Sequence, residues 1–145
     1  MMPAIQTTTT IKSAPRTLHN EYIVFPGKGI PFIKFDGLRG SLTINGTATD
    51  MDVASKLIPL TTMVDEYLGT HERLTCNFLF KDFNSSTCKM LFKLFKKLQG
   101  HKRNNKTITI NWLVDFDQDE MIDTGLDFAE IYDLTFNVQY AFSKN

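Results

Sequence analysis

The most specific chemistry in this sequence lies in a run of three hydroxyl side chains. Ser85, Ser86 and Thr87 follow Asn84, at the point where an alternating apolar pattern gives way to a helical one. Asparagine and serine commonly cap helices there, because their side-chain oxygens accept hydrogen bonds from unpaired backbone N–H groups. Three hydroxyls exceed what one cap needs, and a phosphate on one of them would add about −1.5 to −2 charges beside the positive end of the helix. The residues alone therefore indicate a helix cap, a phosphorylation site, or both.

Other candidate catalytic or ligand-binding residues lack the partners that their chemistry requires. His19, His71 and His101 have no Cys, His or carboxylate neighbours at metal-ligand spacing. The segment 27–29, Gly-Lys-Gly, lacks the Ser or Thr that follows the lysine of a phosphate-binding loop. Nor does any serine lie in a nucleophile-elbow pattern. We therefore predict a protein without catalytic turnover and without a cofactor.

An acidic stretch resembles the start of a calcium loop but does not complete it. Asp115, Asp117 and Asp119 alternate, whereas Glu120 and Leu126 occupy the positions where such a loop needs glycine and a bidentate glutamate. We predict no metal site there and interpret the stretch as a solvated loop.

Charge is segregated along the chain, although 16 basic and 16 acidic residues give a formal net charge of zero. Eight basic residues lie between Lys81 and Lys106, and eight acidic ones lie between Asp115 and Asp133. These clusters are either two solvated helix faces or two patches that orient protein partners. Zero net charge draws the chain to neither nucleic acid nor an anionic membrane, so we expect neither as a partner.

The elements that must position these residues alternate along the chain after an initial hairpin. An α/β fold follows, with one mixed sheet of four or five strands preceded by a hairpin and two or three helices packed on it. Asp50 or Asp52 is the expected cap of the first helix, and Gly100 is the expected end of the second. The predicted strands span 22–25, 31–35, 41–44, 73–81, 107–113 and 134–140, and the predicted helices 53–68, 86–98 and 119–131.

At 145 residues, the chain has the length of one domain. Residues 1–15, rich in threonine, are expected to form a flexible arm, and 16–145 a single domain. The start lacks a secretory signal pattern, and no apolar run reaches the roughly 18 residues of a membrane span, which predicts a soluble cytoplasmic protein. Cys76 and Cys88 fall in a predicted strand and helix, as reduced thiols.

A set of short motifs extends across residues 22 to 138. The segment 84–89 reads Asn-Ser-Ser-Thr-Cys-Lys, and the segment 121–128 joins Met, Asp, Gly, Asp and Phe at fixed spacing. Gly40, Ile44 and Gly46 in the hairpin region and Trp112 in a strand complete the set. In these positions the sequence resembles the SiaC-type regulatory phosphoproteins, a bacterial family whose fold is like that of STAS domains and anti-sigma-factor antagonists.

The resemblance implies a partner switch. A cognate Ser/Thr kinase would phosphorylate the acceptor, a PP2C-type phosphatase would remove the phosphate, and the unphosphorylated form would bind and activate a diguanylate cyclase in cyclic di-GMP signalling and biofilm formation. Ser85 occupies the acceptor position, with Ser86 and Thr87 as alternates. Asn84 and Ser86 would shape the turn, and Lys89 would border the docking surface.

This chain departs from the family pattern in two places. The usual acceptor is threonine, where this chain has Ser85, and a Pro-Glu-Asn segment is replaced around Thr49–Asp52. The alternative within the same class is an anti-sigma-factor antagonist that binds an anti-sigma kinase. A structural interaction module that is never phosphorylated is a further alternative. Another class is a small ligand-binding domain or enzyme that uses the loop from Asp115 to Asp123.

Overall fold

Three strands come first, and helices and strands then alternate, in a computed structural model that describes residues 21–141. The predicted arm at 1–15 lies outside the described residues. The strands are β1 (Glu21–Val24), β2 (Phe32–Asp36), β3 (Ser41–Ala48), β4 (Arg73–Phe83), β5 (Thr107–Val114) and β6 (Phe136–Tyr140). The helices are α1 (Val53–Leu68), α2 (Ser85–Arg103) and α3 (Glu120–Tyr132).

All six strands form one sheet, in the same order as in the chain. β1 pairs with β2 and β2 with β3 in antiparallel fashion, whereas β3, β4, β5 and β6 are parallel. Each parallel connection contains one helix, and every connection steps to the next strand in the same direction. Because such crossovers are right-handed, α1, α2 and α3 pack on the same face of the sheet.

This topology brings several chain segments to one edge of the sheet. The carboxyl ends of the four parallel strands and the amino ends of the three helices meet there. We call it the carboxyl edge; it is formed by the segments 49–52, 84–86, 115–119 and 140–141. In open α/β sheets this edge is where binding residues usually collect.

The core lies between the sheet and the helices, because alternate residues of the strands are apolar and point to the helical face. In β4 those residues are Leu74, Cys76, Phe78 and Phe80, all of them buried. An aromatic cluster fills the centre, where Trp112 lies 5.6 Å from Phe128 and 5.8 Å from Phe136 between ring centroids. The indole N–H of Trp112 donates to the carbonyl oxygen of Met121 at 2.8 Å, which ties β5 to the first turn of α3.

The opposite face of the sheet is polar. Asn77, Asn111 and Asn137 are in register on β4, β5 and β6. The Asn111 amide donates to Asn77 at 2.8 Å, and the Asn137 amide donates to Asn111 at 3.0 Å. These bonds connect the three parallel strands β4, β5 and β6 through their side chains.

The predicted α/β class with a mixed sheet is confirmed, but the sheet has six strands instead of four or five. The segment around Tyr22 pairs with the predicted hairpin, and the hairpin joins the parallel strands through β3. β3 itself runs past Ile44 to Ala48, across a register shift at Gly46 and Thr47.

The expected end of the second helix was wrong. α2 continues through Gly100 to Arg103, and the left-handed residue that follows it is Asn105, with φ of 69°. Basic residues in the last turn, His101, Lys102 and Arg103, favour this extension because they lie at the negative end of the helix dipole. At α1, Asp52 is the cap residue but its side chain makes no cap hydrogen bond; the carboxylate of Asp50 accepts the Asp52 N–H at 2.8 Å.

An added methyl group should have opposite effects on stability at two helical glycines. A Cβ at Gly125 would lie 2.6 Å from Nε1 of the buried Trp112, whereas a Cβ at Gly100 meets nothing within 4 Å. We expect Gly125→Ala to lower the free energy of unfolding by about 1–3 kcal/mol through overpacking. Gly100→Ala should raise the free energy of unfolding by about 0.5–1 kcal/mol, because alanine loses less backbone entropy in a helix. Urea unfolding followed by circular dichroism measures both, and equal stability of the two variants would contradict the packing described here.

Candidate functional site

Asn84 links the end of β4 to the start of α2 and is the N-cap of that helix. Its backbone is extended, with φ of −90° and ψ of 177°, and its side-chain oxygen accepts the N–H of Thr87 at 2.8 Å. Its carbonyl oxygen accepts the N–H of Cys88 at 3.0 Å. Ser85 is therefore the first residue of the helix and has no capping role.

The three candidate acceptors differ in exposure. Ser85 and Ser86 are exposed, whereas Thr87 is fully buried. The Thr87 hydroxyl donates to the carbonyl oxygen of Ala48 at 3.0 Å, which joins the first turn of α2 to the end of β3. At the start of α2, only Ser85 and Ser86 therefore present their hydroxyls to solvent.

The loop that follows β3 contacts this site directly. The Asn84 side-chain amide donates to the carbonyl oxygens of Thr49 at 2.9 Å and Asp50 at 3.4 Å. The Asn84 backbone N–H donates to the carbonyl oxygen of Ala48 at 3.1 Å. The N–H groups of Thr49 and Asp50 both donate to the carbonyl oxygen of Gly29, at 3.0 and 2.9 Å. The segment Thr49–Asp52, which departs from the sequence pattern noted above, therefore packs against the helix cap. No local sequence pattern indicates this contact, because it joins residues that are 35 positions apart.

The helix on which Ser85 lies favours an anion there, whereas the acidic residues nearby, Asp82 and Asp50, precede the helix or lie in the contacting loop. The first turn of α2 holds no acidic residue, and the first N–H groups of a helix have no intrahelical acceptor. Lys89 is exposed four residues after Ser85, a spacing that places the two side chains on the same face of the helix. A phosphate on Ser85 could thus reach both backbone donors and a lysine.

The predicted acidic loop lies at the same edge, and its carboxylates contact protein groups. Asp115 pairs with Lys81 at 3.1 Å, and Asp119 accepts the hydroxyl of Tyr140 at 2.9 Å. This hydrogen bond to Asp119 raises the pKa of Tyr140. The ring of Phe116 stacks on Tyr140 with centroids 5.0 Å apart. Within residues 21–141, no group of three or more His, Cys, Asp or Glu side chains is placed to hold a metal ion.

His71, His101 and Cys76 lie outside the start of α2, whereas Cys88 lies in its first turn. His71 stacks on Tyr67 with centroids 4.0 Å apart, and Nε2 of His101 lies 2.8 Å from Asp65. His19 lies outside the described residues. The pKa of the Cys76 thiol is raised to about 12 by burial, and that of the partly buried Cys88 is also raised by burial.

A carboxylate with two basic partners, which the sequence did not reveal, joins α1 to α2. Asp65 pairs with Lys97 at 2.8 Å on one oxygen and with His101 at 2.8 Å on the other. Burial acts to raise the pKa of Asp65, but its hydrogen bonds to Lys97 and His101 outweigh burial and lower it. Lys97 and His101 are 32 and 36 positions from Asp65, so only the packing of the helices brings them together.

None of the helices in the described part of the chain is long and apolar enough to cross a bilayer.

Comparisons with known proteins agree with this geometry. The sequence pattern of the SiaC family regulatory phosphoprotein matches residues 26–141. The crystal structure of apo-SiaC from Pseudomonas aeruginosa superposes with a TM-score of 0.75 at 16% sequence identity, covering 83% of this chain and 98% of that one. The crystal structure of the diguanylate cyclase SiaD in complex with its activator SiaC, from the same organism, gives a TM-score of 0.78 at 16% identity and covers 83% and 99%. No curated protein matches the chain by sequence.

Proposed function

Because the chain belongs to the SiaC family of regulatory phosphoproteins, we propose that it switches protein partners through phosphorylation of Ser85. A cognate Ser/Thr kinase adds the phosphate, and a PP2C-type phosphatase removes it. The unphosphorylated form binds and activates a diguanylate cyclase, so the chain regulates cyclic di-GMP synthesis without being an enzyme itself. The solved complex of SiaD with its activator SiaC supports this choice of partner.

The observation behind the choice of Ser85 is that its hydroxyl is exposed at the start of α2 while Asn84 supplies the cap. A kinase can therefore reach the hydroxyl without opening the fold. Ser86 is also exposed but lies one residue further into the helix, and Thr87 is buried with its hydroxyl already donated to Ala48. Asn84 shapes the turn, Ser86 follows Ser85 in the first turn of the helix, and Lys89 borders the docking surface.

The proposed switch follows from the charge that the phosphate brings. A group of about −1.5 to −2 charges at a protein interface must lose water and repels acidic groups on the partner. On the free protein the same group is stabilised by the N–H groups at the start of α2 and by Lys89. Phosphorylation therefore favours the unbound state.

Cyclase activation is the direct test. We expect the unphosphorylated protein to stimulate cyclic di-GMP formation by a purified diguanylate cyclase from the same organism, measured by chromatography of the product. Protein phosphorylated by its kinase should give no stimulation, and treatment with the phosphatase should restore it. Stimulation that is equal for the two forms, or binding only to an anti-sigma kinase, would contradict the proposal.

A further inference from the structure

Four residues of α2 form an exposed stripe that starts at the proposed phosphorylation site. Ser85, Lys89, Phe92 and Lys96 are exposed and follow one another at intervals of four, three and four residues. This spacing places them on one face of a helix. We call these residues the α2 stripe.

The α2 stripe carries uncompensated positive charge. The helix from Ser85 to Arg103 contains no acidic residue. Lys97 pairs with Asp65 of α1, but Lys89 and Lys96 make no ion pair with any residue in the range 21–141. Both lysines are therefore available to a partner's carboxylates.

An aromatic ring lies between these two lysines. Phe92 is 39% exposed although it is a large apolar side chain. Its ring centroid lies 5.7 Å from that of Phe128 and 6.2 Å from that of Tyr132, both on α3, so the ring is held in place while one side faces solvent. Fixed aromatic rings surrounded by polar groups are typical centres of protein interfaces.

We infer that the α2 stripe docks an acidic amphipathic helix of the output partner. The partner helix carries two carboxylates one heptad apart, with an apolar residue between them. Lys89 and Lys96 are about 10.5 Å apart along the helix axis, which is the rise of seven helical residues. A partner helix that lies along α2 with glutamates at positions i and i+7 would meet both lysines, while an apolar residue at i+3 or i+4 covers Phe92. This inference rests on the proposed function, since it specifies the surface that the switch controls.

The position of Ser85 connects the α2 stripe to the switch. Its side chain lies one turn, about 6 Å along the axis, from Lys89. A phosphate there binds Lys89 and repels the carboxylate that would otherwise pair with it. Phosphorylation should therefore weaken the contact between the partner helix and the α2 stripe through Lys89.

The charge of the neighbouring helix disfavours nucleic acid at this surface. Phe92 packs on α3, whose exposed side carries Asp123, Asp127 and Glu130. A continuous phosphate backbone on the α2 stripe would pass these carboxylates and be repelled, whereas a single partner helix can present basic residues toward α3.

The test uses a synthetic 20-residue helical peptide with glutamates at i and i+7 around a leucine, and a matched peptide with lysines in their place. Binding to the full chain is measured by fluorescence anisotropy at low and high salt. We expect the glutamate peptide to bind the unphosphorylated protein, to bind less tightly as salt rises, and to bind at least about tenfold more weakly after Ser85 is phosphorylated.

Charge-reversal variants locate the contact. Lys89→Glu/Lys96→Glu should weaken peptide binding at least about tenfold, whereas Lys28→Glu/Arg73→Glu, with the same change in charge at exposed positions outside α2, should bind as the native protein does. Phe92→Ala should also weaken it about tenfold or more, and circular dichroism checks that all variants are folded. Equal binding of the two peptides, equal loss in the two charge variants, or tighter binding of a single-stranded oligonucleotide would overturn the inference. Peptide binding that follows these expectations without activation of any cyclase would instead keep the docking surface and reject the cyclase as partner.

Discussion

Ser85→Ala is expected to keep binding the output partner after incubation with the cognate kinase and ATP, under conditions in which the native protein releases it. The variant lacks the hydroxyl that accepts the phosphate, and the other two hydroxyls of the segment are either one residue away or buried. An uncompensated charge at an interface costs about 2–5 kcal/mol, so phosphorylation of the native protein should weaken binding roughly 30-fold or more. A pull-down of the purified cyclase, with mass spectrometry of the kinase-treated protein, measures both binding and the modified residue.

The fold should tolerate this change. Ser85 is exposed and makes no cap hydrogen bond, because Asn84 accepts the Thr87 N–H. The free energy of unfolding should change by at most about 1 kcal/mol, so a loss of binding by the variant could not be explained as unfolding. Ser86→Ala is the matched control: it removes the neighbouring exposed hydroxyl and should still be phosphorylated and released.

Two outcomes of this experiment have different consequences. Phosphate on Ser86 in the native protein would move the acceptor by one residue and leave the switch in place. Release of unmodified Ser85→Ala by kinase and ATP would show that the phosphate on Ser85 does not control binding.

Ser85→Asp should bind the partner more weakly than the unphosphorylated native protein does. The loss of binding should be smaller than that caused by phosphorylation, because a carboxylate carries less charge and fewer oxygens than a phosphate.

Much of the fold could be predicted because its signals are local. The alternation of Leu74, Cys76, Phe78 and Phe80 predicted a strand with one buried face, and all four side chains are buried in the sheet. The change from this pattern to a helical one placed Ser85 at a helix start, where the structure has it. Periodicity sufficed here because each element buries one face in the same core.

The errors and omissions concern features that depend on distant contacts or on the competition between neighbouring residues. Gly100 was expected to end α2, but Asn105 adopts the left-handed conformation instead. The bond from Asn84 to Thr49 and the pairing of Asp65 with Lys97 join segments more than 30 positions apart, and no pattern within one element indicates them. The burial of Thr87 had a local signal that was missed: it lies four residues before Leu91 and seven before Leu94, on the apolar face of α2.

Thr87→Glu is expected to lower the free energy of unfolding by about 3–5 kcal/mol at pH 7, because it places an unpaired carboxylate in the core. Thr87 is fully buried and its hydroxyl donates to Ala48. Ser85→Glu is the matched control: the same side chain at an exposed first helical position should change the free energy of unfolding by no more than about 1 kcal/mol and in the stabilising direction. Urea unfolding of both variants measures the difference.

The pH dependence of Thr87→Glu identifies the cause of its instability. Burial should raise the pKa of the introduced carboxyl in the folded state above its unfolded value of about 4.3. The charge-dependent part of the destabilisation is then fully present above the folded-state pKa and disappears as the pH falls below the unfolded value. Stability should therefore recover partly at pH 4, while Ser85→Glu shows no such recovery. If Thr87→Glu were as stable as Ser85→Glu at pH 7, the Thr87 side chain would have to reach solvent, and Thr87 would again be a candidate acceptor. Loss of stability that recovers with acid would instead restrict the phosphate to Ser85 and Ser86, since a dianion is larger and more strongly hydrated than the carboxylate that the core rejects.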